Sequence, residues 1–166
     1  MNINTNNWLM KRVMGIVQHY NHEKYWNRRD KVINPSCALP KIIKYYYLFY
    51  IKRCDAFNNA SFGTDLNRGA VFKSHPNLPH HLNGIIISHY AEIGVNCTIY
   101  QQVTIGQSTN NKAAKIGDNV MIGAGAKIIG DVTIGNNVKI GANCIVIDDI
   151  PDNSTVVLNK PRVIVK

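Results

Sequence analysis

Proton transfer near neutral pH is histidine chemistry, and this chain places its six histidines unevenly. They are His19, His22, His75, His80, His81 and His89, with none after residue 89. Four fall within residues 75–89, around the run Leu78-Pro79-His80-His81-Leu82-Asn83-Gly84-Ile85-Ile86-Ile87. An imidazole there can take a proton from a hydroxyl as a general base. A single histidine in a turn is more often structural, so residue type and spacing alone leave the choice among these four open. Cys37, Cys54, Cys97 and Cys144 occur singly with no CxxC, so neither a disulfide framework nor a zinc cage is signalled. Lys115, Lys127 and Lys139 stand twelve apart like a stripe for binding anions.

The element that must position these groups is a repeat. From Ile87 an aliphatic residue recurs every six positions at Ile93, Ile99 and Ile105, and again at Ile116, Ile122, Ile128, Ile134, Ile140 and Val146. Gly follows at 94, 106, 117, 123, 135 and 141, and a small or apolar residue falls four places after most starts, Cys97 and Cys144 among them. Those two cysteines therefore read as packing, and Cys37 and Cys54 have no evident partner base. A period of six fits neither an amphipathic helix nor an alternating strand. It fits a short strand plus a corner, stacked as a parallel β-solenoid with Gly or Asn at bends where positive φ is cheap. The series slips once: Ile105 to Ile116 spans eleven residues, one hexad plus five. The polar stretch Gln107–Lys112 is read as a loop pushed out of a corner, where binding residues tend to sit.

The 166 residues are 45% hydrophobic, enough for one domain with a core, and this excludes collagen-like and wholly disordered chains. The net charge of +9 is lopsided: residues 1–60 carry ten basic and three acidic side chains, residues 61–166 nine and seven. No nucleic-acid recognition motif accompanies the basic front third, so no nucleic-acid partner is expected. A helical pattern runs from Asn7 to Gln18, and the aromatic, basic segment Ile42–Arg53 is read as a second helix, although its tyrosines suit a strand as well. The N-terminus lacks the pattern of a signal peptide, and the run Ile42–Ile51 is too short to span a bilayer. A cytoplasmic protein is the expectation, with 41–53 either packed as a cap or resting on the inner face of the membrane.

Hexads of the form Ile-Gly-x-x-x-x resemble those of the hexapeptide-repeat acyltransferase family. The ordered set His81–Ile87, Ala91-Glu92-Ile93-Gly94, Gln102–Gly106, Lys115–Val120 and Gly123–Gly130 is similar to the serine acetyltransferase branch and to related O-acetyltransferases of bacterial surface-polysaccharide pathways. The resemblance covers roughly residues 62–165. It implies a mainly β fold, a left-handed parallel β-helix over 62–166 with a corner loop at 107–115; residues 1–61, with their helical patterns and basic charge, are read as a mostly helical basic cap. It also implies acetyl-CoA as co-substrate, no metal, a homotrimer, and direct acetyl transfer with a histidine as base. By that resemblance the base is His81 or His80: counting back from Gly84 selects His81, whereas the separation from Asp65, the residue implied to orient the base, selects His80. CoA contacts carried over in the same way are Thr104, Gly106, the Gln107–Lys112 loop, Gly123, Ala124, Lys160 and Arg162. The lysine stripe is set aside, because one coil is eighteen residues and side chains twelve apart lie on different faces.

The chain departs from the serine enzymes in two places. Where they carry Arg-His-Pro-Lys ahead of the repeat's restart, this chain has Lys112-Ala113-Ala114-Lys115, and its helical domain is shorter. Both departures favour a saccharide hydroxyl as acceptor over L-serine. Two further readings of the fold rank below these: a β-helix carbonic anhydrase with His75, His80 and His89 as metal ligands, and a non-catalytic scaffold.

Overall fold

Ile87, Ile105, Ile128 and Val146 stack one above another in register along the inside of a parallel sheet. The computed structural model describes residues 8–159 and residue 164. It begins with three helices, α1 (Trp8–Val17), α2 (His22–Ile33) and α3 (Lys41–Phe57). A small antiparallel hairpin follows, β1 (Thr64–Asp65) with β2 (Arg68–Gly69). The solenoid then runs through β3 (Val71–Phe72), β4 (Ile86–Ile87), β5 (Glu92–Ile93), β6 (Thr98–Ile99), β7 (Thr104–Gly106), β8 (Lys115–Ile116) and β9 (Met121–Ile122). It continues through β10 (Lys127–Ile129), β11 (Thr133–Ile134), β12 (Lys139–Ile140), β13 (Ile145–Val146) and β14 (Thr155–Val156).

These strands form three parallel sheets of four: β4-β7-β10-β13, β3-β5-β8-β11 and β6-β9-β12-β14. Each hexad supplies one strand and one corner, so three hexads make a coil and the sheets are the faces of a prism. The aliphatic residue of each strand points inward, and Ile99, Ile105, Ile122, Ile128 and Ile140 are fully buried. Each such isoleucine contributes about 1.5–3 kcal/mol of transfer free energy. At one corner Asn96, Asn119, Asn137 and Asn153 all hold φ between 54 and 58°. Asparagine tolerates this left-handed backbone. The four amides also form a ladder, each Nδ2 donating to the next Oδ1 at 2.9, 3.2 and 3.0 Å.

Eighteen residues separate Ile87 from Ile105, twenty-three separate Ile105 from Ile128, and eighteen separate Ile128 from Val146. The five extra residues are the expected corner loop, closed by the antiparallel bridge Gln107–Ala113 and by the Ser108 N–H donating to the Lys112 carbonyl at 2.7 Å. The lysine stripe dissolves as anticipated, since Lys115, Lys127 and Lys139 lie on three different sheets. Lys127 donates to the Gln102 carbonyl and to Thr104 Oγ1 at 2.8 and 3.1 Å.

The helices close the first coil. Trp26 of α2 packs edge-on against Phe62 and Phe72, with ring centroids 5.5 and 4.8 Å away. Arg29 is fully buried beside them and donates to Thr64 Oγ1 and to the carbonyls of Phe62 and Ala70 at 2.9, 2.9 and 2.7 Å. It thereby satisfies backbone acceptors that the end of a solenoid leaves exposed. Burial holds its pKa below the ordinary arginine value. Asp55 of α3 accepts from the Tyr25 hydroxyl at 2.6 Å, its other oxygen is enclosed without a partner, and burial pushes its carboxyl up to about 6.

The segment after Pro40 is a helix, which settles the choice between helix and strand. The helix over His22–Ile33 has no counterpart in the sequence reading. Its buried face, Tyr25, Trp26, Arg29 and Val32, includes an arginine, so a search for apolar periodicity passes over it. Its start is nevertheless marked: Asn21 Oδ1 accepts from the Lys24 N–H at 2.9 Å as an N-cap.

Candidate active site

Leu78, Leu82 and Ile85 are buried, and between them Pro79, His80, His81 and Asn83 face outward from the corner ahead of β4. The turn closes with the His81 N–H donating to the Leu78 carbonyl at 3.0 Å, and His81 adopts φ 56°. Gly84 follows at φ 65°, where a side chain would be strained, and its N–H donates to the Asn58 carbonyl at the end of α3 at 2.9 Å. The histidine corner is thus tied to the helical cap as well as to the coil below, where Gln102 N–H donates to the Asn83 carbonyl at 2.9 Å.

His80 and His81 line an open cleft of about 350 Å³ with Gln18, Phe57, Asn58, Asn59 and Asn83. The His81 ring packs against Tyr20 at 5.7 Å between centroids, and His80 tilts toward Tyr100 at 6.0 Å. Partial burial, reinforced by His80, lowers the His81 pKa from its ordinary value, so His81 is neutral at pH 7 and can accept a proton. Tyr20 is buried and its hydroxyl bonds His22 Nδ1 at 2.8 Å. His22 in turn lies edge-on to His75, which pairs with Asp30 at 2.8 Å. Tyr20, which backs the His81 ring, comes from the cap, sixty-one residues upstream. No short-range signal marks it.

Asp65 is placed differently from the expectation that it orients the base. Its carboxylate faces Lys52 at 3.9 Å and Arg68 at 3.4 Å, and among the described residues no hydrogen bond joins it to His80 or His81. The cause is the hairpin β1–β2, which Arg29 pins to α2 and which Lys44 holds through Asn67 Oδ1 at 2.9 Å. Tyr20 packs on His81 instead.

The residues expected to meet CoA are divided between two corners. Gly123 and Ala124 lie on the same corner as the histidines two coils below, where Gly125 N–H donates to the Gln101 carbonyl at 3.0 Å. Thr104 begins β7 and Gly106 ends it, and Gln107 opens the loop at the opposite edge of that sheet. Within one chain the loop and the histidine cleft are therefore separated by the width of a face. Gln107 accepts from Ser88 Oγ at 2.9 Å, and Lys112 is engaged with Asp131 at 2.8 Å, which raises its pKa and leaves its ammonium already paired. Lys160 and Arg162 lie outside the described residues. At the two corners Gln101 Oε1 and Ser108 Oγ are enclosed without hydrogen-bond partners, as is His89 Nε2 beside the loop.

Cys97 and Cys144 are buried, their thiols directed at the carbonyls of Gly117 and Val156 at 3.3 and 3.6 Å. Burial pushes the Cys97 thiol above its ordinary value, away from nucleophilic use. His75, His80 and His89 have separate neighbours, namely Asp30, Tyr100 and Tyr90. Among the described residues no group of three or more His, Cys, Asp or Glu side chains is gathered as a metal site would need.

The coil, the six-residue period and the corner loop define a parallel β-solenoid of hexapeptide repeats behind a short helical N-terminus; residues 113–148 match the bacterial transferase hexapeptide (six repeats) family, and with the solved structures below this makes the solenoid a left-handed β-helix. Within that class the chain resembles the serine acetyltransferase branch of the hexapeptide acyltransferases. It is 42% identical over 98 residues to a serine acetyltransferase of Staphylococcus xylosus, a match covering 57% of this chain and 45% of that protein. Serine acetyltransferase isoform 3 of Entamoeba histolytica, solved with cysteine, superimposes with a TM-score of 0.64 at 25% identity, over 94% of this chain and 64% of that one. The Brucella abortus enzyme, solved with coenzyme A, gives 0.61 at 25% identity, over 93% of this chain and 56% of that one. The chain thus spans less than two thirds of each of these relatives.

Proposed function

We propose that the chain is an acetyl-CoA-dependent O-acetyltransferase whose chemistry takes place in the His80–His81 cleft, with L-serine as acceptor. The observation that carries this reading is the cleft itself: two adjacent histidines, one held neutral, on a corner of a hexapeptide coil. Relatives named as serine acetyltransferases support serine over the glycan acceptor that the departures in sequence favoured. The reaction belongs to cysteine biosynthesis in the cytoplasm.

His81 or His80 accepts the hydroxyl proton as the acceptor oxygen attacks the thioester carbonyl. Acetyl-CoA supplies the activated acyl group, so that one C–O bond forms and one C–S bond breaks. The imidazolium returns its proton to the departing thiolate, giving the acetyl ester and free CoA. No covalent enzyme intermediate is needed, and no cysteine is placed to form one. Because the loop and the histidines lie at opposite edges of one face, a second copy that sets its own loop against the cleft completes the site. This accords with a homotrimer.

One observation favours a saccharide as a second reading. Ala113 is buried and apolar where the serine enzymes carry a histidine, so the chain has no side chain there to meet a carboxylate. The two acceptors are separated by measuring thiol release from acetyl-CoA with L-serine and with a panel of free and nucleotide-linked sugars. Turnover on serine supports the first reading. Turnover on sugars alone replaces it with the second, and no thiol release with either, together with no CoA binding, removes the enzyme class.

A further inference from the structure

Helix α3 is apolar on both sides. Ile51 and Cys54 are buried on the side that packs on α2, while Ile42, Tyr45, Tyr46 and Phe49 on the opposite face are 76, 54, 59 and 68% exposed. At 100° per residue these four fall in one stripe with Arg53 and Ala56. A helix apolar all round is normally covered on every side. Nothing among the described residues covers this one.

The charge around the stripe indicates the kind of surface that would cover it. Lys41, Lys52 and Arg53 are exposed on α3, and Arg28 of α2 lies over the rings of Tyr46, Tyr47 and Tyr50 at 5.3, 4.9 and 4.2 Å. The acidic side chains nearby are Asp55, which is buried, Asp65, which is paired with Lys52 and Arg68, and Glu23 and Asp30 on α2, of which Asp30 is held by His75. No exposed carboxylate belongs to α3 itself. A second copy presenting the same stripe would bring the same positive charges face to face. The complementary partner is both apolar and anionic, as the headgroup boundary of an anionic bilayer is, and tyrosine suits that boundary with its apolar ring and polar tip.

We propose that α3 lies flat on an anionic membrane surface, its Ile42–Tyr45–Tyr46–Phe49 stripe entering the headgroup boundary and Lys41 and Arg53 meeting lipid phosphates. The helix offers a contact about 25 Å long. It does not span the bilayer, since no helix among the described residues is long and apolar enough to do so. Phe57, at the C-terminal end of α3, lines the cleft that holds His80 and His81. The docked protein therefore opens that cleft beside the lipid.

The test is flotation of the full chain with vesicles of phosphatidylcholine alone and of phosphatidylcholine mixed with phosphatidylglycerol, at low and high salt. Binding is expected only to the anionic vesicles and is expected to weaken with salt. Lys41→Gln with Arg53→Gln should lower partitioning roughly 25-fold, each cation near an anionic surface being worth about fivefold. Tyr45→Ser with Phe49→Ser leaves the charge unchanged and should also abolish flotation, while circular dichroism reports the fold intact. Failure to float with anionic vesicles overturns the proposal. So does flotation that survives Tyr45→Ser with Phe49→Ser, which would reduce the contact to charge alone. Self-association lost in that variant, with no vesicle binding, would assign the stripe to a second copy.

Discussion

Replacing Asp55 by Asn tests how the cap is held. The folded carboxyl titrates near 6 against 3.8 for the unconstrained group, because burial disfavours its charge and outweighs the Tyr25 hydroxyl, Lys52 and Arg29, all of which favour it. The difference between 3.8 and about 6 corresponds to about 3 kcal/mol. The raised value means that the stability Asp55 contributes is fully present below about pH 3.8 and is lost as pH rises through about 6. Above that, folding must bury a carboxylate whose second oxygen has no partner. Asn keeps an oxygen for the Tyr25 hydroxyl and carries no charge, so the variant lacks this dependence on pH. Urea unfolding of both proteins across that pH range should show Asp55→Asn gaining on the parent by about 3 kcal/mol between the acid and neutral ends. A difference that does not change with pH would refute the reasoning.

Arg29→Leu strands the Phe62 and Ala70 carbonyls and Thr64 Oγ1 in the core, and at about 1–3 kcal/mol for each unpaired buried group it should cost several kcal/mol by chemical denaturation. A loss within experimental error would show that water replaces the guanidinium. A base must be unprotonated to act, so kcat/KM should rise with pH through the His81 value, with a midpoint below the ordinary 6.5. A midpoint above 6.5 would point away from His81.

The solenoid was legible because its period is local: each hexad carries its own aliphatic residue and corner, and the single slip at Ile105–Ile116 located the loop. The histidine pair was legible only through the family resemblance, which places a histidine just ahead of Gly84 and the aliphatic run that follows it. What the sequence hid was the cap's share of the site. Tyr20 and Phe57 come to the His81 corner only because the cap folds back over the first coil, and that packing depends on a buried arginine which no hydrophobic pattern reveals. Asp65 was assigned to the histidines by the resemblance alone, and the hairpin it belongs to turns it toward Lys52 and Arg68. Orphaned atoms such as Gln101 Oε1 and Ser108 Oγ are visible only once every partner is placed.

The central claim is that the histidine corner performs acetyl transfer. The measurement that tests it most directly is thiol release from acetyl-CoA with L-serine by the parent chain and by His80→Ala with His81→Ala, alongside CoA binding by calorimetry. Both side chains face solvent, so the fold should survive their removal. The account predicts that the parent releases CoA and that the variant binds CoA but releases none above the uncatalysed rate. Undiminished release by the variant would contradict it.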